Sequence, residues 1–360
     1  MTETTETYIN MAFDFISNFV GLFLEDRFKE IEDYRLLASD IQSEQLFNLL
    51  REAEETDYGK KYDFKSIFSY QDFRERLPIQ YPADLQPILE IIKAGTSNLI
   101  WPGQPKGILP TYGGYEVPVS EQAIEEIFFQ GINDSYSIYL HQHPESKLFN
   151  GFSVSVGNSS FGFCMDGLFY LLEENEPFIS SLLNMPKRMA NQSKKYIETE
   201  QLLKEIDGLK VSCFKGSPEA FMALLVKAGL NETKSNLKAI YPDAEVLFYR
   251  SPAPTNMLIE ARNTLPSDLA YQATYSTPEG VFGIQDCPED SAYLLMIDLS
   301  TFYEFIPANG AANQCIPLED IDLNTDYQMV ITNCSGLWRY CSGGPKLRFV
   351  SKKPFRFILI

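Results

Sequence analysis

The chain has 360 residues, 44% of them hydrophobic, with 26 Phe and 20 Tyr, which excludes a disordered polypeptide and exceeds one minimal domain. Its formal net charge of −19 repels phosphate backbones and anionic lipid, so nucleic acid and membrane surfaces are excluded as partners. A small phosphate ligand held by backbone N–H groups stays compatible with that charge.

The N-terminus "MTETTETYIN" carries Glu3 and Glu6 and no basic residue, unlike a secretory signal. Met11 to Leu24 is the most apolar stretch but contains Asp14 and Asn18. It is short for a membrane span and reads as a docked amphipathic helix. The six cysteines include no Cys-x-x-Cys pair and read as scattered reduced thiols. A cytoplasmic location is expected.

Residues 8–95 read as mostly helical. Ser43 is a candidate N-cap for "SEQLFNLLREAEET", whose Leu46, Leu49 and Leu50 share one face. "SYQDFRERLPI" reads as a short helix stopped by Pro78, and "PADLQPILEIIKAG" as another closed by Gly95. "NLIWP" reads as a strand, after which Ser120 caps a long helix and "KLFNGFSVSVG" returns to strand. In "KVSCFKGSPEAFMALLVKAG" a strand leads to Ser217 as N-cap, Pro218 at the first helical position and Gly229 at the end. Arg188 to Gly208 reads as a charged helix covering a face.

"AEVLFY", "LAYQATYS", "AYLLMID", "FYEFI" and "YQMVIT" are expected strands. The last of them follow one another with no helix between. The first two-thirds thus reads as α/β and the last third as a β-rich subdomain. The expected divisions are a helical region 1–95, an α/β subdomain 96–265 and a β-rich subdomain 266–360.

Three stretches in order carry a resemblance: "WPGQPKGILPTYGGYEVPVS", "YSTPEGVFGIQD" and "YQMVITNCSGLWRYCSGG". Together they resemble the auxin-responsive-promoter-type acyl-acid amido synthetases, in their bacterial branch, within the acyl-adenylate-forming superfamily. The resemblance implies an adenylate-forming-enzyme-like large domain of α/β class. It implies ATP and Mg²⁺ as cofactors, attack of a carboxylic acid on the α-phosphate, and capture of the acyl-adenylate by an amine.

The same resemblance marks a nucleotide site at Thr111, Gly113, Gly114, Tyr275, Glu279, Arg339 and Gly343, with Glu279 as the Mg²⁺-linked carboxylate. Several positions depart from the family pattern. The loop before Pro118-Val119-Ser120 is short, with Gly113-Gly114 its one flexible pair. That pair suits a hairpin turn, or an abbreviated anion loop. Tyr249-Arg250-Ser251 stands where small residues face the adenine. Pro278, which has neither hydroxyl nor N–H, replaces the Ser or Thr before the Glu. Gly344 stands where an Asp grips the ribose hydroxyls.

The family continues beyond "PFRFILI" into a closing domain, which is expected to be absent from this chain. These departures lead us to expect a weakly active or non-catalytic relative that binds a small carboxylic acid or a protein partner. The alternative is a working ligase, completed by a closing domain in trans. His141 and His143 in "LHQHPE" sit at a helix end, where their spacing points them apart and argues against shared metal ligation. "GNSSFGF" does not fit a nucleophile elbow.

Overall fold

The computed structural model describes residues 20–111, 113–156, 199–229, 237–250, 266–287 and 291–360, with Phe13 and a few positions between 168 and 185. The first part of the Met11–Leu24 stretch, the segment "GNSSFGF" and most of the charged stretch before Thr199 lie outside them.

Helices come first. Residues 20–32 form α1, and Tyr34–Glu52 form α2. Ser43 is therefore interior to α2 and not its cap; Leu46, Leu49 and Leu50 are buried as their spacing requires. Short α3 (Asp57–Lys61) and α4 (Tyr70–Arg76) follow. Ser69 caps α4 by accepting from the Asp72 N–H, and Leu77 before Pro78 is already extended. In α5 (Pro82–Lys93), proline opens the helix and Gly95, at φ 102°, ends it.

"NLIWP" is not a strand. Asn98 is left-handed (φ 60°), and its side chain and backbone both bond Gly103, closing a loop. The apolar run serves as an anchor: Ile100 and Trp101 are buried, and the Ile100 carbonyl accepts from Trp338 Nε1 at 2.9 Å.

Strands β1 (Gly107–Pro110) and β2 (Glu116–Val119) pair as an isolated antiparallel hairpin. Ser120 then caps helix α6, accepting from the Ala123 N–H at 2.9 Å. This helix starts at Glu121, is π-helical over Ile124–Phe129 and regains α-geometry over Gln130–Gln142.

Among the described residues the remaining strands form one 13-stranded sheet of two characters. On one side β3 (Phe152–Val156), β4 (Asn184–Met185), β5 (Val211–Gly216), β6 (Val246–Arg250) and β7 (Ala270–Thr277) pair in parallel. Helices α7 (Thr199–Ile206) and α8 (Pro218–Lys227) belong to this half, and Ser217 caps α8 through the Ala220 N–H.

From β7 onward every pairing is antiparallel. The strands are β8 (Gly280–Ile284), β9 (Tyr293–Leu295), β10 (Thr301–Pro307), β11 (Ile316–Pro317), β12 (Asp326–Asn333), β13 (Leu337–Tyr340), β14 (Leu347–Lys352) and β15 (Phe355–Leu359). β7 is the strand at which pairing changes. The division expected at 265/266 falls just before it.

Helix α6 lies on this junction. Gly131 packs so closely on β8 that a Cβ there would stand 2.9 Å from Val281 Cγ1. One turn further along α6, Arg27 of α1 bonds the buried Asp134 (2.7 and 2.9 Å) and Asp298 (2.7 and 2.8 Å). No helix among the described residues is long and apolar enough to cross a membrane.

Candidate functional site

The stretch "YSTPEG" forms the β7–β8 hairpin. Thr277 pairs with Gly280, leaving Pro278 and Glu279 as the turn. Proline fits the first central position because its φ is already set. The Glu279 N–H donates to Thr277 Oγ1 (3.3 Å), and Asn333 Nδ2 donates to the Glu279 carbonyl (2.8 Å). Asn333 Oδ1 in turn accepts from the Ser335 N–H, while Ser120 Oγ donates to the Cys334 carbonyl at 2.7 Å. One chain of hydrogen bonds therefore gathers the hairpin, the end of β12 and the N-terminus of α6.

The Glu279 residue is 7% exposed. Burial pushes its carboxyl pKa up, the Thr277 hydroxyl opposing part of that rise. It forms no ion pair among the described residues. A buried carboxyl with no cation beside it is the kind of group a Mg²⁺ ion satisfies. It stands alone, however: no group of three or more His, Cys, Asp and Glu among the described residues is placed to hold a metal.

Beside the hairpin lies a small cleft. Its walls include Tyr275, Phe282, Met329 and Tyr340, and its lip is the turn Ser342 to Pro345. Of the residues marked by the sequence, the fold brings together Tyr275 and Gly343 here, with Glu279 in the adjoining turn. Gly343 is left-handed at φ 67°, which lets the chain turn sharply out of β13.

Gly344 is not left-handed. A Cβ built on it would meet Ser342 Oγ at 3.2 Å and Tyr275 Oη at 3.9 Å. The position thus faces Tyr275 in the cleft and has room for a short side chain, but offers no carboxylate to a ribose.

Tyr340 was not marked by the sequence. Its ring is 1% exposed, and its hydroxyl is buried without a hydrogen-bond partner. Burial and then the nearby Glu279 hold its pKa above the ordinary phenol value. An unsatisfied hydroxyl on a cleft wall is ready to bond a ligand. Asn333, which positions the hairpin, was missed as well, although both residues lie within the stretch "YQMVITNCSGLWRYCSGG".

Arg339 requires a correction, because the structure turns it away from the cleft. Its guanidinium is bidentate to the buried Glu304 (Nε to Oε2 2.8 Å, Nη2 to Oε1 2.7 Å). Nη1 donates to the carbonyls of Arg74 and Leu77. Burial alone would lower its pKa, but Glu304 outweighs it and the pKa rises. The residue sits at φ 45°, a left-handed conformation uncommon outside glycine. Trp338, fully buried, packs with Tyr58, Phe64 and Trp101. In "GLWRYCSGGP", then, Trp and Arg are framework, while Tyr340 and the glycine turn edge the cleft.

Thr111, Gly113 and Gly114 form the β1–β2 turn. The Thr111 N–H donates to the Tyr115 carbonyl (2.7 Å), and the Gly114 N–H to the Thr111 carbonyl (3.0 Å). Those donors are spent within the hairpin, so the turn reading replaces the phosphate-loop reading for Thr111 and Gly114. His141 stacks on Phe28, and His143 on Tyr139.

The sheet is thus parallel up to β7 and antiparallel beyond it, with the cleft at the change. GH3.15 acyl acid amido synthetase superposes with a TM-score of 0.67 at 16% identity, over 92% of this chain and 70% of that one. The structure of AtGH3.15 in complex with 2,4-DB gives 0.69 at 15% identity, over 92% and 69%. The GH3 family N-terminal domain matches residues 27–160 and the GH3 family central domain residues 294–352, together more than half of the sequence. The chain belongs to the GH3 family.

The 4-substituted benzoates-glutamate ligase GH3.12 of Arabidopsis thaliana is 28% identical over 162 residues, which is 40% of this chain and 28% of that relative.

Proposed function

We propose that this chain is a GH3-family protein whose cleft takes a small carboxylic acid and holds ATP weakly, so that adenylation is slow or lost. The observation that carries the reading is Gly344, which sits at the lip opposite Tyr275 with no acceptor for the ribose hydroxyls. A hydrogen bond to a charged group contributes roughly 1.5–3 kcal/mol, so its loss weakens nucleotide binding about tenfold or more. Pro278 adds to this, since it cannot donate to a phosphate. Of the two partner types expected, a small acid suits the concave, partly apolar cleft better than a protein surface does.

In an active relative, Mg²⁺ neutralises the phosphate charge while ATP turns the acid into an acyl-adenylate. Here Glu279 is the residue that would hold the metal. Tyr275 and Phe282 wall the site, and the Tyr340 hydroxyl donates to whatever polar atom enters. A second reading, a working ligase, is favoured by the cation-free Glu279 and the unpartnered Tyr340 hydroxyl.

Pyrophosphate exchange into ATP, measured with a panel of carboxylic acids, separates the two. Our reading expects no exchange above background. Exchange that disappears in Glu279→Gln would establish the ligase.

A further inference from the structure

The face of α1 and α2 turned away from the core carries residues that a solvated helix face does not need. Asp33, between the two helices, keeps right-handed helical dihedrals (φ −67°, ψ −16°), so helical backbone continues from one into the other. The inward positions show the same continuity. Leu24, Arg27, Ile31, Tyr34, Ala38 and Gln42 are buried or packed on the core, every third or fourth residue, straight across Asp33. The opposite face therefore also runs unbroken through both helices.

Two kinds of residue share that outer face. Leu22 is 70% exposed, Phe23 61%, Leu36 82% and Leu37 43%. Leu36 and Leu37 stand close to four turns after Leu22 and Phe23, on the same side and about 21 Å along the axis. Between and beside the two pairs run Asp26, Asp33 and Asp40, all exposed. They recur every two turns, which sets them in one row about 10 Å apart. Over residues 20–44 the exposed cations are Lys29 and Arg35, against seven exposed carboxylates, and Lys29 already pairs with Asp26 at 2.8 Å. An acidic row alone is an ordinary solvated surface. Large apolar side chains grouped within that row mark a contact surface.

We propose that this face docks a basic amphipathic helix of another protein. The partner lies along α1 and α2, with apolar residues on Leu22, Phe23, Leu36 and Leu37. It sets a Lys or Arg every two turns against Asp26, Asp33 and Asp40. Apolar anchors at helical spacing are a recurring mode of helix recognition, and facing rows of unlike charge fix register and exclude wrong partners. Charge decides the occupant. A second copy of this chain would bring its own aspartate row against this one, in either direction, and like charges so placed cost affinity. Residues 1–10 of the same chain hold Glu3 and Glu6 and no base, so they do not complement the row either. The inference goes beyond the reading of the cleft and does not depend on what the cleft binds.

The test uses the full chain and a synthetic helical peptide of about five turns, with leucines on one face and lysines beside them every two turns. A peptide of the same composition in scrambled order controls for charge alone. Fluorescence anisotropy at physiological salt reads binding to the wild type and to three variants. The first is Asp26→Asn/Asp33→Asn/Asp40→Asn and the second Leu22→Gln/Leu36→Gln. The third, Glu125→Gln/Asp207→Asn/Glu219→Gln, removes exposed carboxylates elsewhere.

The ordered peptide is expected to bind the wild type more tightly than the scrambled one, a comparison that needs no variant. The aspartate and leucine variants should each lose about tenfold, and the third should change less than about twofold. Every substituted side chain is exposed, and equal melting temperatures check that only the surface has changed. Equal binding of the two peptides, or equal loss in the third variant, would reduce the effect to net charge and overturn the site. No binding of the ordered peptide at submillimolar concentration would overturn it too. A wild type that sediments as a dimer, with Leu22→Gln/Leu36→Gln a monomer, would give the face to a second copy instead.

Discussion

The two halves of the sheet treat their arginines in opposite ways. In the antiparallel half, Arg339 is enclosed by Glu304 and the carbonyls of Arg74 and Leu77, with its donors committed to the fold. In the parallel half, Arg250, the last residue of β6, is partly buried with no acceptor among the described residues. A buried ion pair is a finished structural unit, whereas an unpaired buried charge costs free energy unless something arrives to meet it. The difference separates a committed arginine from an open one: Arg339 holds the antiparallel half together, whereas Arg250 stands just before the junction at β7.

The largest effect expected from this contrast is in the framework. Arg339→Met leaves the Glu304 carboxylate buried without its partner and should cost about 3–5 kcal/mol, read as a lower urea midpoint. A loss below about 1 kcal/mol would mean that the pair is not the clamp its geometry suggests. Arg250→Leu should move stability in the other direction, so the pair of variants tests the contrast itself.

A smaller effect is expected at Glu279. Its pKa is raised in the fold, so the folded state favours the protonated form. That contribution is complete below the unfolded carboxylate value of about 4 and is lost as pH rises through the folded pKa. Glu279→Gln should therefore melt about 2 °C higher than wild type at neutral pH and show a flatter stability profile from acid to neutral pH. An unchanged profile would mean that the carboxyl is better solvated than its burial implies.

The smallest effect is at Tyr340. Removing an unsatisfied buried hydroxyl in Tyr340→Phe should stabilise the ligand-free protein by at most about 1 kcal/mol, measured by thermal unfolding. Destabilisation of that size would reveal a hydrogen bond to this hydroxyl in solution.

Much of the local architecture was legible because it depends on short-range chemistry. Ser120 and Ser217 cap the helices expected of them, though Ser43 does not, and Gly95 and Gly229 adopt the left-handed conformation that ends a helix. The change from α/β to β-rich organisation was also visible, since it is written in the spacing of apolar runs. Long-range commitments were not. Nothing near Arg339 announces Glu304, 35 positions away, so a motif resemblance placed the arginine in the site while packing placed it in the frame. "NLIWP" failed as a strand because its apolar residues are used to seat Trp338. Tyr340 escaped notice because the absence of a hydrogen-bond partner is a property of the folded cleft alone.

The central claim is that the cleft has kept its shape and lost its hold on the nucleotide at one lip. Gly344→Asp places a carboxylate facing Tyr275 without a left-handed backbone to resist it. Calorimetric titration of both proteins with ATP and Mg²⁺ is the most direct test. The account expects weak or undetectable binding to the wild type and at least about a tenfold gain in the variant. Tight binding by the wild type, with no gain from Asp at 344, would contradict it.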